Sequence, residues 1–254
     1  MMRVIKVGGR VQSDPRLAGA LAAMWTNAPA SFCVVHGGGE AISALQTQLG
    51  GAPQFVDGRR VTSEADISVL RMALSGVANK QLVDSLGTKG IPAVGVSGED
   101  GSLILARALN APVLGRVGAP VEVRDSLVRA LLANGFLPVI APVSRDIDAT
   151  GGGALNVNGD DAAAAIACAL DADELLLVSD VPGVMVDGAA LPMMSPSDAM
   201  DAIDGGIATR GMATKLRAAL DALGRGVQQV RIGGIDALLD PTLGTTLLAT
   251  PQPA

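Results

Sequence analysis

The feature that most constrains this chain is the recurrence of short apolar runs that end in Gly, Ser or Asp. RVIKVGG, SFCVVHGGG, IPAVGVSG, FLPVIAPVS, ELLLVSD and VQQVRIGG are separated by longer segments with helical spacing. Alternation of this kind predicts a mainly parallel sheet covered by helices on both faces, because strands buried on both sides read as continuous apolar runs. In such sheets ligands bind beyond the carboxyl ends of the strands, which is where the glycines of this chain collect. Composition agrees. Nearly half of the 254 residues are hydrophobic, yet Trp25 and three Phe supply every aromatic ring. The core is therefore expected to consist of Ala, Val, Leu and Ile.

Helix starts are legible too. Asp14-Pro15 reads as an N-cap followed by proline at the first helical position, and Ser195-Pro196-Ser197-Asp198 as a capping box. Thr62 or Ser63 caps a third helix, and Gly151 to Gly159 reads as a loop or hairpin before a fourth. No linker rich in Pro, Gly and Ser divides the chain; a boundary near Asp171–Asp173 separates an expected N-terminal lobe (1–172) from a C-terminal lobe (173–254).

Several function classes are excluded or disfavoured. Nineteen Lys and Arg against 25 Asp and Glu give a net charge of −6, so no nucleic-acid surface is expected. Cys33 and Cys168 lie alone in apolar segments, with neither metal-ligand nor disulfide spacing. The opening MMRVIKVGG carries its charges inside an apolar run, unlike a signal peptide, and the apolar stretch from Leu131 to Ser144 is broken by Asn134, Gly135, Pro138 and Pro142. A cytoplasmic protein without membrane contact is expected.

Six motifs carry chemistry. Lys6-Val7-Gly8-Gly9 brings an ammonium and backbone N–H groups to one anion, and His36-Gly37-Gly38-Gly39 adds a helix N-terminus. The single histidine reads as a backbone-orienting residue rather than a base. In Asn156-Val157-Asn158-Gly159-Asp160, Asn158 caps a helix and Asp160 falls in its first turn. Gly211-Met212-Ala213-Thr214-Lys215 places a lysine in what reads as the first turn of a helix ending at Gly224, where the helix dipole disfavours it. Ser179-Asp180 after ELLLV is a further strand-end loop, and Gly58-Arg59-Arg60-Val61-Thr62 offers a guanidinium fork for a carboxylate.

In order and spacing, KVGG, HGGG, GRRVT, GVANK, VGVSGEDG, LNVNGD, SDVPGV and GMATK resemble the amino acid kinase superfamily and, within it, its N-acetylglutamate kinase branch, from Val4 to about Leu247. The resemblance implies an αβα three-layer sandwich around a mainly parallel sheet of about eight strands. It implies ATP-dependent phosphorylation of the side-chain carboxylate of N-acetyl-L-glutamate, in arginine biosynthesis. Carried over, Lys6 and Lys215 stabilise the transferring phosphoryl group and Asp160 positions them. Gly38, Gly39, Arg60 and Asn156 bind the acyl amino acid, Arg60 through its α-carboxylate. Gly8, Gly9, Asp180 and Met212 contact ATP, whose Mg²⁺ arrives with the nucleotide rather than on a protein metal site. The N-terminal lobe would hold the acyl amino acid and a dimer contact, the C-terminal lobe ATP; a homodimer insensitive to arginine is expected. Two departures stand out, because relatives often carry Leu at Arg59 and a small or neutral residue at Arg10. These cations leave open a substrate whose acyl group is succinyl. The same motifs also leave room for a kinase acting on a 2-aminoadipate or glutamate linked to a carrier protein, and for a non-catalytic sensor on this fold.

Overall fold

The computed structural model describes residues 1–56, 58–186 and 188–249, with Arg210 described by its backbone alone. All six apolar runs form strands: β1 (Arg3–Val7), β2 (Phe32–His36), β5 (Ala93–Gly98), β8 (Leu137–Asp146), β10 (Glu174–Val178) and β13 (Gln229–Gly233). Between and beyond them lie β3 (Phe55–Val56), β4 (Arg59–Arg60), β6 (Ile104–Ala108), β7 (Val117–Val123), β9 (Ala154–Val157), β11 (Met185–Val186), β12 (Ala189–Ala190) and β14 (Thr245–Leu248). The helices are α1 (Arg16–Asn27), α2 (Gly39–Gln48), α3 (Glu64–Leu70), α4 (Asn79–Gly87), α5 (Ala111–Leu114), α6 (Ser126–Ala133), α7 (Gly159–Ala169), α8 (Pro196–Asp204) and α9 (Arg210–Gly224). A π-helical segment, Arg71–Ala78, joins α3 to α4.

The main sheet runs β14-β13-β10-β1-β2-β8-β6-β7-β9, with β5 also paired to β8. It has ten strands among the described residues, where the resemblance implies about eight. Pairings from β13 through β10, β1 and β2 to β8 are parallel, and antiparallel pairs occur where β14, β7 and β9 fold back. Every residue of β2 and β10 is buried, which requires cover on both faces. The helices supply it in two packed groups, α7 with α9 and α1 with α4. The core is aliphatic as expected, with one edge-to-face pair, Trp25 on Phe32, at 5.7 Å between centroids.

Local signals hold in detail. Ser195 and Asp198 form the capping box of α8, Ser63 and Asp66 form one on α3, and Asn158 accepts from the Asp160 N–H at the start of α7. Asp14 accepts from the Arg16 N–H at 2.8 Å, while the N-cap position itself falls on Pro15. The 151–159 segment is the turn and second arm of an antiparallel pair, β8 with β9, leading into α7. One expectation is corrected: α9 begins at Arg210, so Lys215 lies in its second turn. The dipole therefore does not explain that lysine's position, and its partner does. The segments 1–172 and 173–249 share one sheet, the latter supplying β10, β13 and β14; residues 250–254 lie outside the described ones. No helix among the described residues is long and apolar enough to cross a membrane.

Candidate active site

β1 and β2 end side by side, and the register pairs Val7 with His36, so KVGG and HGGG emerge at one sheet edge. Beyond them opens a cleft of about 610 Å³, lined among others by Lys6, Gly9, Gly38, Gly39, Arg60 and Asn156. Six of the expected site residues are thus gathered in one place. Asp160, Lys215 and Gly8 adjoin this group through Lys6, whereas Asp180 and Met212 do not line the cleft.

The centre of the arrangement is a carboxylate between two ammoniums. Asp160 Oδ1 lies 2.8 Å from Lys6 Nζ, and Oδ2 lies 3.3 Å from Lys215 Nζ. All three side chains are buried. Burial opposes ionisation of Asp160, but attraction to Lys6 and Lys215 outweighs it and holds the carboxyl below its ordinary value. Lys215 is pushed down by burial and by the neighbouring Lys6 charge, against the pull of Asp160. Two ammoniums and one carboxylate give the trio one net positive charge at a buried position, where an anion gains most from it.

Glycines shape the path of Lys6. A methyl group on Gly8 would lie 2.3 Å from Lys6 Nζ, and one on Gly159 would lie 3.2 Å from its Cε. The ammonium therefore lies over the Cα of Gly8, where any side chain would displace it. The Gly8 N–H itself is directed to the Val178 carbonyl, at 3.4 Å. Donors for an anion come instead from Gly38, whose N–H has no acceptor among the described residues, and from the first turn of α2.

Arg60 forms the other polar end of the cleft. Its guanidinium donates to Gln46 Oε1 (3.0 Å), the Gly39 carbonyl (3.0 Å) and Ser43 Oγ (2.7 Å), and it lies over the Phe55 ring. No carboxylate among the described residues lies within salt-bridge distance of it, although it is 8% exposed. Burial accordingly lowers its pKa, and its charge remains available to a carboxylate from outside. Asn156 donates to Thr62 Oγ1 at 2.9 Å, which ties β9 to the start of α3.

The two unusual arginines are each engaged. Arg59 Nη2 pairs with Asp161 at 2.9 Å, and Arg10 Nη2 with Asp180 at 2.6 Å. Arg10 and Asp180 face a separate hollow of about 320 Å³ beyond β10 and β13, with Val181, Pro182, Gly234 and Ile235. Asp180 still acts on the site electrostatically, raising the pKa of Lys215. Met212 is half-buried and packs on the core. His36 is fully buried, and burial pushes its imidazole down to about 4, so at neutral pH it carries no proton to give away as an imidazolium. Sequence reasoning passed over Ser43, Gln46 and Asp161. Gln46, one of two glutamines in α2, gives no signal until Arg60 is placed beside it.

A mainly parallel sheet covered by helices, with a buried lysine–aspartate–lysine trio at its strand ends, defines an α/β protein. The chain belongs to the amino acid kinase family, whose profile matches residues 1–234. It is 42% identical over 239 residues to a protein named acetylglutamate kinase from Chloroflexus aurantiacus, covering 93% of each chain. It is 40% identical over 248 residues to one of the same name from Roseiflexus castenholzii, covering 97% of this chain and 93% of that one. The solved structure of smu.665 from Streptococcus mutans superposes with a TM-score of 0.87 at 30% identity, covering 98% of this chain and 99% of that one.

Proposed function

We propose that this chain is an acetylglutamate kinase, transferring the terminal phosphoryl group of ATP to the side-chain carboxylate of N-acetyl-L-glutamate. The observation that carries this is the pairing, across one cleft, of a buried arginine with no carboxylate within salt-bridge distance among the described residues and a lysine–aspartate–lysine trio. A small N-acylated dicarboxylate fits both ends: its α-carboxylate on Arg60, its side-chain carboxylate toward Lys6 and the Gly38 N–H. The attacking carboxylate is ionised at neutral pH, so no base is required. Two anions must instead be brought in line, and catalysis is positioning and charge neutralisation. Lys6 and Lys215 take the developing charge, and Asp160 holds both ammoniums at fixed separation while keeping their mutual repulsion in check. With one lysine ammonium within ion-pair distance of each of its oxygens, Asp160 is poorly suited to a metal; Mg²⁺ would arrive on the nucleotide and neutralise its phosphates.

ATP is placed on the 173–249 side, with Asp180 and Met212 near the nucleotide and Gly8 and Gly9 beneath the phosphates. The acyl amino acid is placed on the 1–172 side, with Gly39 and Asn156 in its walls. A homodimer belongs to the same proposal; Met72 and Val77, each 49% exposed on the π-helical segment, are side chains a second copy would cover, and sedimentation velocity reads the outcome. The acetyl group is favoured over succinyl because Arg59 and Arg10 already have carboxylate partners and do not converge on one pocket. The test is ATP-dependent ADP release with N-acetylglutamate, N-succinylglutamate, glutamate and aspartate offered in parallel. N-acetylglutamate should give the highest kcat/KM; preference for another acid overturns the proposal.

A further inference from the structure

His36 and Asn79 form a buried polar pair that the phosphoryl-transfer residues leave unexplained. Both side chains are wholly inaccessible. The Asn79 amide is oriented by its surroundings: Nδ2 donates to the Val139 carbonyl at 2.9 Å, and Oδ1 accepts from Lys80 Nζ at 3.1 Å. Its packing is close enough that a methyl group on Gly95 would fall 1.8 Å from Oδ1. The same Nδ2 lies 3.1 Å from His36 Nε2, which must therefore accept. The proton of the neutral ring then resides on Nδ1, which lies 2.7 Å from the Gly37 carbonyl oxygen and donates to it.

This bond has a consequence one atom further on. In a trans peptide the carbonyl of Gly37 and the N–H of Gly38 point in opposite directions. Fixing the carbonyl on the imidazole turns the Gly38 N–H away from the buried ring, on a loop whose Gly37, Gly38 and Gly39 line the cleft. That N–H has no acceptor among the described residues. We propose that His36, held by Asn79, is a positioning residue that aims the Gly38 N–H at the reacting carboxylate. Its kinetic consequence rests on the proposed phosphorylation of N-acetylglutamate; its geometry does not.

The chain has a single histidine, so ¹⁵N-histidine labelling reports one imidazole. The neutral Nδ1–H tautomer is expected at pH 7.5, and an Nε2–H tautomer or an imidazolium overturns the proposal. The kinetic arm compares H36N, whose amide nitrogen occupies the place of Nδ1, with H36Q, whose amide end occupies that of Nε2. H36Q should lose kcat by on the order of 10- to 100-fold with an unchanged KM for ATP, since one preorganised donor is misaimed. H36N should retain most of kcat, even if its urea midpoint falls as far as that of H36Q. Equal kcat losses in the two variants, or losses that follow the urea midpoints, refute the positioning role. If the wild type fails to phosphorylate N-acetylglutamate, the functional reading falls. The Gly38 amide resonance then decides: a shift in H36Q but not in H36N supports the role, and equal shifts refute it.

Discussion

Gly8→Ala should separate catalysis from stability in a single substitution. The added methyl would meet Lys6 Nζ at 2.3 Å, Cε at 3.3 Å and Cδ at 3.7 Å. A comfortable contact is roughly 3.5 Å, so the ammonium must retreat by about 1 Å. Only the tip of a flexible side chain has to move. Backbone strain is absent, since Gly8 has φ −128° and ψ 162°, which alanine adopts freely. Stability should therefore fall by no more than about 1–2 kcal/mol, from a lengthened Lys6–Asp160 contact. Catalysis is less tolerant: a misplacement of about 1 Å can lower the rate on the order of 100-fold. The assay is kcat from ADP release at saturating ATP and N-acetylglutamate, with urea midpoints alongside. Gly19→Ala serves as control, because a methyl there, in α1, meets nothing within 4 Å. A Gly8→Ala protein with kcat within about threefold of wild type, when about 100-fold is expected, would refute the placement of Lys6 at the transferring group.

Asp160→Asn removes the carboxylate that holds the two ammoniums, and kcat should fall on the order of 100-fold or more. The alkaline limb of the kcat–pH profile should move to lower pH in that variant: Lys215, already depressed by burial and Lys6, loses the attraction that raised it and sheds its working proton earlier. Stability should fall on acidification through His36. Its folded pKa is depressed to about 4, so the unfolded chain binds the proton first, from about pH 6.5 down. The contribution is complete above about pH 6.5 and shrinks by about 2 kcal/mol by about pH 5, and His36→Asn should flatten that part of a urea-midpoint series. Arg59→Leu strips Asp161 of its partner in a half-buried setting and should destabilise by about 1–2 kcal/mol. Its ratio of kcat/KM for N-acetylglutamate over N-succinylglutamate should stay within about threefold of wild type, well short of the roughly 10-fold that about 1.4 kcal/mol of lost discrimination would produce.

The strands legible in the sequence are the ones buried on both faces, because only those read as unbroken apolar runs. β6 and β7 carry Arg107 and Glu122 toward an exposed side, and β9 and β14 are four residues long, so their runs are too short or too mixed to stand out. Caps were legible because they are local: Ser63, Asn158 and Ser195 each act within three residues. The site was legible as motifs but not as a geometry. Nothing in GMATK indicates that Lys215 meets a carboxylate 55 residues earlier, and the assumed helix start misplaced it by a turn. Arg10 and Arg59 read as spare cations because their partners, Asp180 and Asp161, are brought to them only by the fold. Asn79 stands within GVANK as one polar residue in a helical stretch, and its bond to His36 spans 43 positions.

The most direct test of the central claim is to trap the product. Hydroxylamine added to protein, ATP and N-acetylglutamate labelled with ¹⁸O in its side-chain carboxylate should yield the side-chain hydroxamate, with ¹⁸O carried into the released phosphate. Lys215→Ala should lose most of that signal. Phosphate free of ¹⁸O, or a hydroxamate yield that does not depend on ATP, would contradict phosphorylation of that carboxylate and with it the assignment of the cleft.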